Sequence, residues 1–154
     1  MRTQLPTRLQ KGFTLIELLV VIGILAVLLA IVLIAINPAR QFSQANNTQR
    51  SSDVNAILNA IHQYAASNKG TIPPAITTTD TVISSTGINI CANLVDTYIA
   101  AFPTDPSLNT APIQLAGCAG AYNTGYNVIK SAANNRVTVR APLVELGATI
   151  SVTR

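Results

Sequence analysis

The chain opens with a polar, basic dozen residues ending at Gly12 and then turns apolar from Phe13 to Ile36. Glu17 is the one charge in that second segment. From Leu18 to Ile36 nineteen residues follow without a charge, Gly23 alone not being aliphatic. At about 1.5 Å of helical rise per residue this run spans roughly 28 Å, close to the hydrocarbon thickness of a bilayer. The pattern predicts one membrane-spanning helix.

Beyond it the pattern changes. Asn37-Pro38 predicts a kink, and the residues that follow are mostly polar, with Ala39, Phe42 and Ala45 the main apolar positions. A helix polar nearly all round bridges between packed parts, so residues 37–52 read as a neck. From Asp53 an apolar stripe returns at Val54, Ile57, Leu58, Ile61 and Ala65, the spacing of one helical face. Ser51, Ser52 or Asp53 is a candidate cap for a new helix, but the pattern equally fits one helix running on from the neck. Asn68-Lys69-Gly70 supplies a stop and Pro73-Pro74 prevents resumption. The expectation is one helix from about Thr14 to about Ser67, bent near Pro38.

Residues 71–124 read mainly as loop, with a short strand at Val82-Ile83, a short helix from Asn93 to Ala101 and a rigid turn at Pro103-Thr104-Asp105-Pro106. Strict alternation then appears at Arg136 to Ala141 and again at Thr149 to Thr153. Gly125 to Lys130, Arg136 to Ala141 and Thr149 to Thr153 read as strands, with Asn134-Asn135 as a hairpin turn. Val137, Val139, Ile150 and Val152 are expected to face the helical stripe. The fold class is therefore α+β: a long N-terminal helix, half transmembrane and half packed on a head, against a small antiparallel sheet of three to four strands.

Charge sharpens the picture. Ten basic and six acidic side chains give a formal +4, but Arg2, Arg8 and Lys11 all precede the apolar run. What remains is seven basic against six acidic residues, too even a balance for a nucleic-acid-binding face. The three early cations keep the amino terminus cytoplasmic and send the carboxyl-terminal part across the membrane. A cleavable secretory signal has an apolar core of only about 7–15 residues before a small-x-small site. The run here is longer, and Ala30 and Ala35 are poorly placed to make such a site.

Glu17 is the anomaly, because a carboxylate in a lipid-embedded helix costs on the order of 2.5–3.5 kcal/mol at mid-membrane and less near an interface. Snorkelling to the headgroups or protonation is one answer, since the helix itself offers nothing expected to offset the charge. The surrounding residues supply another. Lys11-Gly12-Phe13-Thr14-Leu15-Ile16-Glu17 resembles the processing site of type IV pilins and the related pseudopilins of type II secretion. The resemblance implies a cut between Gly12 and Phe13 by prepilin peptidase, N-methylation of Phe13, and a pairing of Glu17 with the Phe13 amine of a neighbouring subunit. Meeting relieves two charges that are each costly to bury alone.

The resemblance divides the chain into a cytoplasmic leader at 1–12, a transmembrane and filament-core helix at 13–36, the neck at 37–52 and an extracytoplasmic head at 53–154. It is close over Lys11 to about Ile36, looser to Gly70, and architectural thereafter. It implies a filament subunit, single-pass in the membrane before assembly and in a surface or periplasmic filament after. Its partners are the lipid bilayer, the peptidase, an inner-membrane assembly platform and other pilins including its own copies. The alternatives are a secretion pseudopilin, a minor tip pilin binding DNA or surfaces, and a membrane-anchored ectodomain that never polymerises.

Cys91 and Cys118 are the only cysteines and both lie in the exported part, where disulfides persist. A bridge would close a loop of about 28 residues and contribute about 3–4 kcal/mol. The other reading is two unpaired thiols. Neither catalysis nor a cofactor is expected: His62 is the sole histidine and sits beside the stripe, the acids are scattered, and no nucleophile motif is present. In major pseudopilins a calcium ion occupies a loop that Pro103-Thr104-Asp105-Pro106 resembles in part. Here Asp105 and Asp96 are the only nearby carboxylates, and the tryptophan-glycine element of that loop is absent. Thr- and Ser-rich residues 77–86 and the formal sequon Asn46-Asn47-Thr48 are sites where sugar attachment competes with a plain solvated loop and neck.

Overall fold

In the computed structural model, which describes residues 12–154, the first helix, α1, runs over Leu15–Ile36. Asn37 ends it in the left-handed conformation (φ 46°), a region asparagine tolerates better than most residues. Pro38 then opens α2, Pro38–Ser67, where its missing N–H is no loss and its φ is already helical. The single helix expected from Thr14 to Ser67 is thus interrupted once, at Asn37. The chain divides into two units there, one ending at Pro38 and the other comprising Ala39–Arg154.

Within the second unit α2 carries the expected face. Val54, Ile57, Leu58, Ile61 and Ala65 are all buried. So are Arg50 and Asp53, although both are charged. The helix ends as its sequence requires: Lys69 (φ 55°) turns left-handed and the Gly70 N–H returns to the Ala65 carbonyl at 2.8 Å.

Four antiparallel strands in the order β1-β2-β3-β4 cover that face: β1 Thr81–Ser84, β2 Asn123–Lys130, β3 Val137–Ala141 and β4 Ile150–Thr153. Val139 sits opposite Val128 on one side and Val152 on the other. Tyr126, Val128, Val137, Val139 and Ala141 join Ile83 and the α2 stripe in one core, with Ile150 and Val152 half-buried against it. Asn135 (φ 56°) makes the β2–β3 turn. The register between β1 and β2 slips around Ile83, opposite Gly125 (φ 77°), so β2 bulges there.

The helix expected at Asn93–Ala101 is corrected. Helical structure (α3) covers only Cys91–Leu94 and stops because Asp96 takes a positive φ of 76°. Val95 and Ile99 then form an isolated bridge. Two 3-10 turns, Pro106–Leu108 and Leu115–Ala119, complete the region. A disulfide between Cys91 and Cys118 ties α3 to the second of them.

Candidate functional site

The amino-terminal site is short and open. Gly12, Phe13 and Thr14 are extended or irregular, and a side chain on Gly12 would meet nothing within 4 Å. Phe13 is 92% exposed. The peptide bond between Gly12 and Phe13 therefore lies in accessible, non-helical chain, the form in which a peptidase can bind it. The expected leader otherwise comprises residues 1–11, with Arg2, Arg8 and Lys11, and lies outside the described residues.

Thr14 and Glu17 cap α1 reciprocally. Thr14 donates its backbone N–H (2.8 Å) and its hydroxyl (2.7 Å) to Glu17 Oε2, while the Glu17 N–H donates to Thr14 Oγ1 at 3.3 Å. This corrects the expectation that the helix offers Glu17 nothing. The signal was present as the Thr-x-x-Glu spacing of a capping box. Hydrogen bonds are not a counter-charge, however. Among the described residues no basic side chain pairs with Glu17.

From Leu15 to Ile36 no side chain of α1 is buried, and the helix is long and apolar enough to cross a membrane. At Gly23 a Cβ would touch nothing, leaving a depression between Leu19, Val20, Ile24 and Val27 where another helix can approach closely.

The head contains a second polar cluster that sequence reasoning missed. Arg50, fully buried, donates from Nε to Asp105 Oδ2 at 2.8 Å and from Nη2 to Asp105 Oδ1 at 2.9 Å. Its Nη1 donates to Asn47 Oδ1, and Glu145 lies 3.7 Å from Nη2. Next to this pair, Asp53 accepts from Tyr126 Oη at 2.7 Å and from Gln49 Nε2 at 2.8 Å. Burial pushes Asp53 above the usual aspartate range, against the pull of those two bonds. Burial acts on Asp105 in the same sense, but there the bonds from Arg50 and Ser107 win and hold its carboxyl low. Tyr126 is pushed far up by burial and by its bond to Asp53, so it stays neutral. Both partners of each contact are occupied, and the cluster is a fastening between α2 and the rest of the head. It engages the helix from Asn46 onward, earlier than the apolar stripe beginning at Val54 implied.

Asp105 and Asp96 do not form a joint site: Asp105 is fully buried against Arg50, whereas Asp96 is exposed. A cation at Asp105 would face the guanidinium, and Ser107 takes Oδ1 from the other side. This donor set does not fit a calcium ion. Among the described residues no three His, Cys, Asp or Glu side chains gather as metal ligands. His62 is half-buried on α2, its Nε2 enclosed without a hydrogen-bond partner. Asn46 of the formal sequon spends its amide on Glu145.

A family model described as the prokaryotic N-terminal methylation motif matches residues 7–33. No curated protein and no solved structure matches the chain. The match covers the segment in which Gly12, Phe13, Thr14 and Glu17 have the arrangement described above. Residues 7–33 therefore carry the prokaryotic N-terminal methylation motif, the prepilin-type segment found in type IV pilins and pseudopilins.

Proposed function

We propose that the chain is a structural subunit of a type IV pilus-like filament. It is made as a membrane-anchored precursor, cut between Gly12 and Phe13, methylated on Phe13 and polymerised through α1. The observation that carries this reading is Glu17: an ionisable group in a helix with no other charge, hydrogen-bonded by Thr14 yet, among the described residues, without a basic partner. Cleavage after Gly12 creates the missing cation as the Phe13 amine. A second copy delivers that amine to Glu17, which favours one register among helices whose apolar surfaces would otherwise slide.

The mechanism is assembly, with no chemistry on a substrate. Every face of α1 is exposed in the single chain, so each must touch lipid before assembly and another subunit after it. Residues 13–36 serve as the anchor and then as the filament core. The head follows outside the membrane, its disulfide formed after export.

Mass spectrometry of the protein from its native cells tests processing directly. The expected species begins at Phe13 with one added methyl group. Material retaining residues 1–12 would overturn the proposal, and so would a Glu17→Ala variant that polymerises as well as its parent.

A further inference from the structure

After Pro38, four large apolar side chains among the described residues stay exposed: Phe42, Leu115, Leu143 and Leu146. Three of them belong to one neighbourhood. Phe42 lies one helical turn before Asn46, on the same face of α2. Asn46 Nδ2 and Asn47 Nδ2 donate to the Glu145 carboxylate and carbonyl, and Asn47 Oδ1 accepts the Glu145 N–H. Leu143 and Leu146 flank Glu145 in the connection between β3 and β4. The connection is thus pinned to α2 through both backbone groups of one residue.

Leu146 is held at φ 57°, a left-handed conformation that bulky side chains avoid. Its side chain is 55% exposed and that of Phe42 is 72% exposed. A solvated loop gains nothing from a leucine in that conformation. An interface does, because burying that exposed side chain against a partner offsets the cost of the backbone conformation.

We propose that Phe42, Leu143 and Leu146 form the surface through which the head of one subunit contacts a second copy of the chain. The proposal rests on the filament reading above. In a filament the α1 helices pack at roughly 8–10 Å. Phe42 follows Ile36 by six residues, which cannot carry it more than about 20 Å from that seam at any angle of departure. Phe42 therefore stays within reach of a neighbouring copy. With seven basic and six acidic side chains after Gly12, they meet without net repulsion.

Photo-crosslinking in filament-forming cells tests this. A benzophenone amino acid is placed in the full chain at position 42, 146 or, for comparison, exposed Thr78. Covalent dimers in sheared filaments are expected from 42 and 146 and not from 78. A Phe42→Ser, Leu146→Ser double variant should lower filament yield by about tenfold or more, the usual effect of losing an interface anchor. Its membrane-inserted monomer should keep the disulfide. Normal parental filaments in which positions 42 and 146 crosslink to lipid alone, or to nothing, would overturn this surface and leave the filament reading standing. If the parent forms no filaments, both fall.

Discussion

Arg50 and Asp105 lie 55 residues apart in sequence and face each other through two parallel hydrogen bonds of 2.8 and 2.9 Å, both side chains fully buried. The planar guanidinium matches the carboxylate edge to edge, and Asn47 and Ser107 occupy further polar atoms of the pair. The contact joins α2 to the turn that opens at Pro106.

Breaking one half of that pair is expected to be costly. Asp105→Ala or Arg50→Ala leaves a buried charge uncompensated and should destabilise the head by about 3–5 kcal/mol. Replacing both together, Arg50→Met with Asp105→Leu, should cost much less than the two single changes combined, because no orphan charge remains. Denaturant unfolding of the four proteins in detergent, followed by head fluorescence or circular dichroism, gives the comparison. Additive single losses would refute the pairing.

The two aspartates beside Arg50 give stability opposite pH dependences. Asp53 has its carboxyl raised in the folded head, so folding favours the protonated form. The penalty it imposes at neutral pH is relieved as pH falls through the folded value towards the ordinary aspartate value of about 3.9. Asp105 has its carboxyl lowered, so its contribution is present above about 3.9 and disappears as pH falls below it. These two groups should therefore make the head firmer in mild acid than at neutrality and weaker in strong acid. Melting temperatures taken from pH 7 to pH 2 would show the rise and fall. Asp53→Asn should abolish the rise while leaving the fall.

Gly125 is required by the same cluster. Its φ is 77°, and a Cβ there would lie 2.8 Å from Asp105 Cβ and 3.1 Å from Leu108 Cδ1. Gly125→Ala should therefore cost on the order of 1–3 kcal/mol from backbone strain and overpacking. A Gly147→Ala variant provides the control, since that position (φ 66°) shares the backbone conformation with no atom within 4 Å of a Cβ. Thermal unfolding should rank Gly125→Ala as the more damaging. Equal losses would mean that the approach of Asp105 is not what Gly125 serves.

Local pattern alone carried a good deal of this molecule. The α2 stripe from Val54 to Ala65, the stop at Lys69-Gly70 and the alternating strands β3 and β4 were legible because each depends on residues within a turn or two of one another. The helix expected at Asn93–Ala101 failed for a different reason. Asp96 is drawn into a left-handed turn whose N–H bonds to the Ile99 carbonyl, and the following N–H groups return to Leu94 instead of continuing a helix. Composition gives no warning of that choice.

What the sequence by itself determined is whatever a short stretch can settle energetically: a span of uncharged residues that water rejects, a glycine before a phenylalanine, and one acid four positions after that phenylalanine. Only the tertiary structure decided that Arg50 is buried, that Asp105 is its partner, and that the Glu145 loop is pinned to α2. The reason is physical. Desolvating a charge is unfavourable until a specific opposite charge arrives, and the identity of that distant residue depends on how the intervening chain packs.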